Sequence, residues 1–135
     1  MLTLERVSSL LIVVLAFSIA QGCRPTKVDH EQRIPGLISD HSELLDPFSA
    51  QFRGLRYEGF KSTGWEAETW CGEINAKNSF GAYTGWQFFR LERRKSGNAD
   101  PEVDFKIYKT QDLNLAGKML YATMCSGTKA VDASD

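Results

Sequence analysis

Short segments rich in aromatic and β-branched residues follow one another through the second half of the chain, and they constrain the fold more than any other feature of the sequence. Gly, Asn, Ser and Asp separate them, as turn-forming residues separate strands. Between residues 103 and 108, apolar and polar side chains alternate, which is the period of a strand with one buried face. Because short polar loops join the segments and no βαβ alternation occurs, an antiparallel meander is expected. The predicted strands are 55–60, 66–75, 83–93, 103–110 and 118–125.

One helical segment is predicted ahead of the strands, over residues 40–52. Its apolar residues recur at helical spacing and would form one buried stripe. A proline inside a helix loses a hydrogen bond and clashes with the preceding turn, so Pro47 is expected to divide the segment into helices 40–45 and 47–52. The predicted fold is α+β: an N-terminal helical segment packed on an antiparallel sheet of four or five strands. The stripe consists of Leu44, Leu45, Phe48 and Phe52.

The first 22 residues have the pattern of an export signal. Residues 8–20 are thirteen uncharged, largely aliphatic residues, which as a helix would span about 20 Å and fall short of a hydrocarbon core of about 30 Å. That length is typical of a signal-peptide core. The small residues that precede Cys23 resemble the bacterial lipobox, in which the cysteine receives diacylglycerol and becomes the N-terminus. The alternative is ordinary signal-peptidase cleavage after Ala20, which would leave Gln21 as the N-terminus.

Lipidation of Cys23 would also explain why the chain has an odd number of cysteines. There are three, so Cys71 and Cys125 would remain as one pair in an exported protein, where disulfides persist. Such a bond would close a loop of about 55 residues, which chain-entropy models value at about 4 kcal/mol. The alternative is two buried free thiols. No second cysteine or histidine lies at ligand spacing from either residue, so neither a metal site nor a cofactor is expected.

Composition along the remaining chain suggests three regions. Residues 23–39 mix charged residues, prolines and a glycine with little periodicity, which predicts a lipid-anchored tether. A single α+β domain is expected over residues 40–127, followed by a flexible polar tail over 128–135. An Asp directly after the anchor retains enterobacterial lipoproteins in the inner membrane; Arg24 stands there instead, which favours the outer membrane, facing the periplasm. The net charge of −1 argues against nucleic-acid binding.

The stretch from residue 71 to residue 86 combines asparagine, glycine and aromatic residues. Asparagine and glycine tolerate positive φ, so residues 75–82 are predicted to form an elaborate hairpin loop. One interpretation is structural, since a glycine within a strand lets a ring or another backbone approach. The other is a recognition surface, since aromatic rings offer rigid contact area and amides both donate and accept hydrogen bonds. The predicted binding residues are Asn75, Lys77, Asn78, Tyr83 and Trp86.

Two parts of the chain together resemble a group of small bacterial and phage-associated exported proteins. Residues 46–53 read DPFSAQFR, and residues 71–86 read CGEINAKNSFGAYTGW. The group shares the pattern D-P-x-S-A-x-F-R, followed by C-G-x-x-N-A-K-N-x-x-G-x-Y-x-G-[FW]. The resemblance covers about residues 44–90 and the late cysteine, Cys125. It implies a shared fold and assigns no activity.

Residues suited to catalysis are few. His30 and His41 are the only histidines, and no nucleophile-elbow, zinc-protease, phosphate-loop or dinucleotide-binding motif occurs. Glu66 and Glu68 are expected on one face of a strand and Glu73 on the other, so a matched carboxylate pair for hydrolysis is not evident. The predicted function is a non-enzymatic envelope lipoprotein that binds a protein partner, as inhibitors and immunity proteins do. The alternatives are an accessory structural protein of the envelope and a small envelope hydrolase.

Overall fold

The computed structural model describes residues 25–40 and 44–131. Helix α1 packs on a five-stranded antiparallel sheet in the order β4-β3-β2-β1-β5, which confirms the α+β prediction. The predicted export signal and the Cys23 anchor lie outside the described residues, and no helix within those residues is long and apolar enough to cross a membrane. The elements are α1 (Lys27–Ile38), the 3-10 helix η1 (Pro47–Ser49), β1 (Gln51–Ser62), β2 (Trp65–Asn75), β3 (Gln87–Ser96), β4 (Glu102–Tyr108), α2 (Leu115–Met124) and β5 (Lys129–Ala130).

The core lies between α1 and one face of the sheet. A row of directly paired residues crosses the four long strands on this face: Tyr57 pairs with Trp70, Trp70 with Leu91, and Leu91 with Phe105. Because side chains alternate along a strand, residues two positions away from this row add to the same face. The largest fully buried side chains of this core are Trp70, Phe89, Ile34, Ile38, Ile74 and Leu91. Cys71, which is also fully buried, points to the opposite face of the sheet, because it directly follows Trp70 in β2.

Helix α1 occupies residues that were predicted to be a tether, so the prediction of a tether over residues 23–39 is wrong for 27–38. A capping box begins the helix: the Thr26 hydroxyl accepts from the Asp29 N–H, and the Asp29 carboxylate accepts from the Thr26 N–H at 2.8 Å. Ile34 and Ile38, one helical turn apart, are completely buried. Their burial offsets the hydrogen bond that Pro35, inside the helix, cannot donate.

The helical segment predicted over residues 40–52 is much shorter in the structure. Pro47 begins a helix as predicted, but that helix is only the single turn η1, and β1 follows almost at once. Leu45 and Phe48 are largely exposed, so the predicted apolar stripe is not one buried face. Residues 41–43, which belong to the first predicted helix, lie outside the described part of the chain. The position on the sheet expected for this segment is taken by α1.

The fifth predicted strand, over residues 118–125, is wrong, because this segment forms α2. The Asn114 side chain caps the helix by accepting from the Gly117 N–H at 2.9 Å. No side chain of α2 is fully buried. The helix is held to the sheet through Tyr121, whose hydroxyl accepts from the Gly72 N–H at 3.0 Å and lies 3.1 Å from the carbonyl oxygen of Phe89.

The segment after α2 returns to the sheet. Cys125 directly follows the helix and forms a disulfide with Cys71 of β2, with their Cα atoms 6.2 Å apart, which confirms the predicted pair. Strand β5 then pairs with Arg56 and Tyr57 of β1. The predicted flexible tail over 128–135 is therefore wrong for the residues of β5, and residues 132–135 lie outside the described chain.

Candidate functional site

The sheet has two ends that differ in character. The loop of residues 75–86 connects β2 to β3 at one end, called here the loop end. The β1–β2 turn lies at the other end, called the hairpin end, and there the Gly97 N–H of the β3–β4 turn donates to the Gly64 carbonyl at 2.7 Å. The eleven residues of β2 separate the two ends by about 35 Å at about 3.3 Å per residue.

Asn78 organises the tip of the loop. Its side-chain oxygen accepts from the N–H groups of Phe80 at 3.0 Å and Ala82 at 3.1 Å, and its own N–H donates to the Ala82 carbonyl at 2.8 Å. Gly81 adopts φ +77°, a conformation that favours glycine. The tip is therefore held by its own hydrogen bonds.

Asn75 closes the base of the loop in the same way. Its side-chain oxygen accepts from the Gly85 N–H at 3.0 Å, and its amide donates to the Gln51 side chain at 3.2 Å. The Thr84 N–H and hydroxyl both donate to the Ala76 carbonyl, at 3.0 and 3.1 Å. The oxygens of both predicted binding asparagines thus serve the loop's own backbone and shape the loop.

The other three predicted binding residues are involved in stacking contacts. Lys77 pairs with Tyr83 in a β-bridge, and its ammonium nitrogen lies 5.5 Å from the centre of the Tyr83 ring. The Arg53 guanidinium lies 4.3 Å from the centre of the Trp86 ring and makes two hydrogen bonds to Glu73, at 2.8 and 2.9 Å. These cation–π contacts tie the flanks of the loop to β1 and to each other, so the five residues share one loop without forming one exposed surface.

The side chain that the loop presents most openly is Phe80, which is 92 % exposed. Sequence reasoning did not select it, although it lies between Asn78 and Gly81, the residues that shape the tip. A phenylalanine that is held outward by a fixed backbone contributes nothing to this domain's core.

A cavity of about 560 Å³ adjoins the loop, within the size range of ligand pockets. Its apolar walls come from Leu44, Ile74 and Ile107, and Lys77 and Lys109 carry the charges among the described lining residues. No described lining residue is acidic. The cavity therefore suits a group that combines an apolar part with a negative charge.

A second polar cluster lies between α1 and the hairpin end of the sheet, around Glu68. The Arg33 guanidinium donates two hydrogen bonds to the Glu68 carboxylate, at 2.7 and 2.6 Å, and Arg93 donates a third at 2.9 Å. Burial opposes ionisation, but the hydrogen bond and charge of Arg33, with smaller effects of Tyr57 and Arg93, lower the pKa of Glu68. Burial raises the pKa of Tyr57 to about 12, so its hydroxyl remains a donor to Glu68.

His30, which was assigned to the tether, lies in α1 and is only 3 % exposed. Its Nδ1 accepts a hydrogen bond from the Trp70 indole N–H at 3.0 Å, which requires that nitrogen to be unprotonated. Burial, followed by the charge of Arg33, lowers the pKa of His30. The arrangement satisfies a buried indole, so it is structural in character.

The three glutamates that were considered as a possible catalytic pair lie on the faces of β2 that the strand alternation predicted. Glu66 and Glu68 line one cleft, whereas Glu73 pairs with Arg53. The ion pair with Lys61 lowers the pKa of Glu66, and the pKa of Glu68 is lowered as well. A general acid requires the opposite shift. His41 lies outside the described residues, and the described part of the chain contains no group of three or more potential metal ligands.

Comparison of the chain with protein-family models, with curated proteins and with solved structures finds no match. Its function must therefore be inferred from its own residues and their geometry.

Proposed function

We propose that the chain is a non-enzymatic binding module of the bacterial envelope, anchored through lipid at Cys23, whose loop end binds a protein partner. The observation that carries the proposal is a loop fixed by its own hydrogen bonds that leaves Phe80 almost wholly exposed. An inhibitor or immunity-type protein is one form that such a module takes.

A fixed loop favours binding because little conformational freedom is lost when the partner engages. Aromatic side chains that insert into a pocket commonly dominate the binding energy of an interface. Phe80 at the tip suits a concave apolar site on the partner, such as a cleft. The neighbouring cavity, with Lys77 and Lys109 at its lining, would receive an acidic side chain of the same partner.

The carboxylates at the hairpin end count against the alternative of a hydrolase. Glu68 is held by two arginines and Glu66 by Lys61, and the pKa of each glutamate is lowered. Neither is suited to protonate a leaving group at neutral pH.

Two features support an envelope location. The Cys71–Cys125 disulfide is typical of an oxidising compartment, and the aliphatic segment before Cys23 has the length of an export signal. Because Arg24 rather than Asp follows Cys23, we place the protein at the outer membrane, facing the periplasm.

Affinity capture from a detergent-solubilised envelope extract tests the binding proposal. Wild type is compared with Phe80→Ser and with Phe60→Ser, a matched aromatic change at the hairpin end. A protein that wild type and Phe60→Ser recover, and that Phe80→Ser loses without a change in its melting temperature, is the expected result. If all three chains recover the same proteins in the same amounts, the loop is not the binding surface.

The contribution of the cavity can be measured once a partner is in hand. A Lys77→Gln/Lys109→Gln variant should bind more weakly, and its affinity should depend less on salt, because two cations facing an acidic group have been removed. Unchanged salt dependence would remove the cavity from the proposed interface.

A further inference from the structure

The folded domain begins only four positions after Cys23, because α1 starts at Lys27. Four residues reach at most about 14 Å when fully extended. Pro25 lines the same cleft at the hairpin end as Phe60 and Lys61. A lipid attached to Cys23 would therefore hold the hairpin end close to the bilayer surface.

The hairpin end presents apolar side chains that the domain does not cover. Phe60 is 53 % exposed and Trp65 42 % exposed, with their ring centroids 5.4 Å apart. Tryptophan and other amphipathic rings are enriched where membrane and water meet.

We propose that the hairpin end, through Phe60 and Trp65, rests in the interfacial region of the bilayer that holds the Cys23 lipid. The inference rests on the lipid anchor of the proposed function and adds an orientation to it. The loop end then faces away from the membrane, about 35 Å from the hairpin end by the length of β2, where Phe80 is accessible to a partner.

The contact requires no particular charge on the lipid. The basic side chains at this end face acidic ones: Lys61 is paired with Glu66 at 2.8 Å and Arg93 with Glu68 at 2.9 Å, and Lys95 lies opposite Glu66 in the β2–β3 register. The β3–β4 turn contains Asp100 without a basic residue between 97 and 101. The hairpin end thus combines aromatic rings with basic and acidic side chains, which suits a zwitterionic bilayer. A surface that binds anionic lipids is instead a cluster of lysines and arginines.

Tryptophan quenching by brominated lipid tests this orientation. The full chain is produced with its export signal in a bacterium that processes lipoproteins and is then reconstituted into phosphatidylcholine vesicles with bromine on the acyl chains. Trp70 is buried under α1 and Trp86 lies at the loop end, so Trp65 is the indole expected to be quenched. In a Trp65→Phe variant, about half or more of the quenching should disappear if Trp65 lies at the interface. A Phe80→Ser variant, changed at the opposite end, should be quenched as strongly as wild type.

Equal quenching of wild type and Trp65→Phe would overturn the proposal, as would quenching that requires phosphatidylglycerol in the vesicles. Mass spectrometry of the same preparation separates the two inferences. A lipid on Cys23 together with no Trp65 quenching removes only the orientation, whereas a free Gln21 terminus removes the anchor and the orientation together. If Trp65 is quenched but wild type and Phe80→Ser capture the same proteins in the same amounts, only the binding role of the loop is removed.

Discussion

Replacing both disulfide cysteines, in a Cys71→Ala/Cys125→Ala variant, should lower the free energy of unfolding by about 4 kcal/mol. The two residues are 54 positions apart, and the magnitude follows from the chain entropy that the crosslink removes from the unfolded state. Since small domains are stable by about 5–15 kcal/mol in total, the variant should remain folded but become marginal.

The bond also sets the local stability of α2. The helix has no fully buried side chain, so in the variant only the contacts of Tyr121 and of Met124, whose sulfur lies 3.9 Å from the Tyr108 hydroxyl, would hold it to the sheet. We therefore expect the amides of α2 to exchange with solvent well before those of β2 and β3, which lie in the middle of the sheet.

Urea denaturation and native-state hydrogen exchange measure the two effects. With a denaturant dependence of about 2 kcal/mol per molar urea, the midpoint should fall by about 2 M. Tyr121→Phe is the matched control: it keeps the disulfide and removes only the hydroxyl that contacts Gly72 and Phe89, at a cost of about 1–2 kcal/mol. A midpoint shift under about 0.5 M in the double variant, with α2 still protected, would refute the reasoning.

Three further predictions concern the core and the loop. Burial lowers the pKa of His30 below its usual value of 6.5, so as the pH falls the unfolded chain binds a proton at this histidine before the folded chain does. The free energy of unfolding should therefore be highest above about pH 6.5 and should decline as the pH falls towards the folded-state pKa. Urea midpoints measured from about pH 7.5 to 5.5 should show that decline, and a His30→Gln variant should lose most of it. Gly72→Ala should cost about 1–3 kcal/mol, because a Cβ there would lie 3.1 Å from two carbonyl oxygens of β1. In thermal melts, Gly36→Ala is its control, since Gly36 is in open space within α1 and should tolerate the methyl group. Asn78→Ala removes an acceptor shared by two N–H groups. Amide exchange at the loop tip should therefore accelerate, while the melting temperature changes by only a few degrees. If the amides of the tip stay as protected as in wild type, the asparagine does not shape the loop.

The strands were largely predictable because their information is local. A period of two along the chain places alternate side chains on opposite faces, and the four long strands of the sheet overlap four of the predicted segments. The same alternation correctly separated Glu73 from Glu66 and Glu68. The cysteine count likewise led to the Cys71–Cys125 bond, which the structure contains.

The two helices were missed because tertiary contacts decide them. Residues 27–38 contain an internal proline and too few apolar positions for a clear helical period, and Ile34 and Ile38 become informative only once the sheet covers them. Residues 118–125 are apolar enough for a strand or a helix, and propensity cannot choose between these for a short run. Tertiary contacts make the choice. The Tyr121 hydroxyl binds the backbone of Gly72 from above the sheet. Both sides of β1 are already paired, one with β2 and the other with β5.

By itself, the sequence determined the fold class, the disulfide partners and the position of the loop, since each depends on residue type and spacing along the chain. Only the tertiary structure decided what the loop residues do. It assigned the oxygens of Asn75 and Asn78 to neighbouring backbone N–H groups and left Phe80 exposed. A side-chain amide can bind a partner or its own loop equally well, and the distances of the folded chain select between the two.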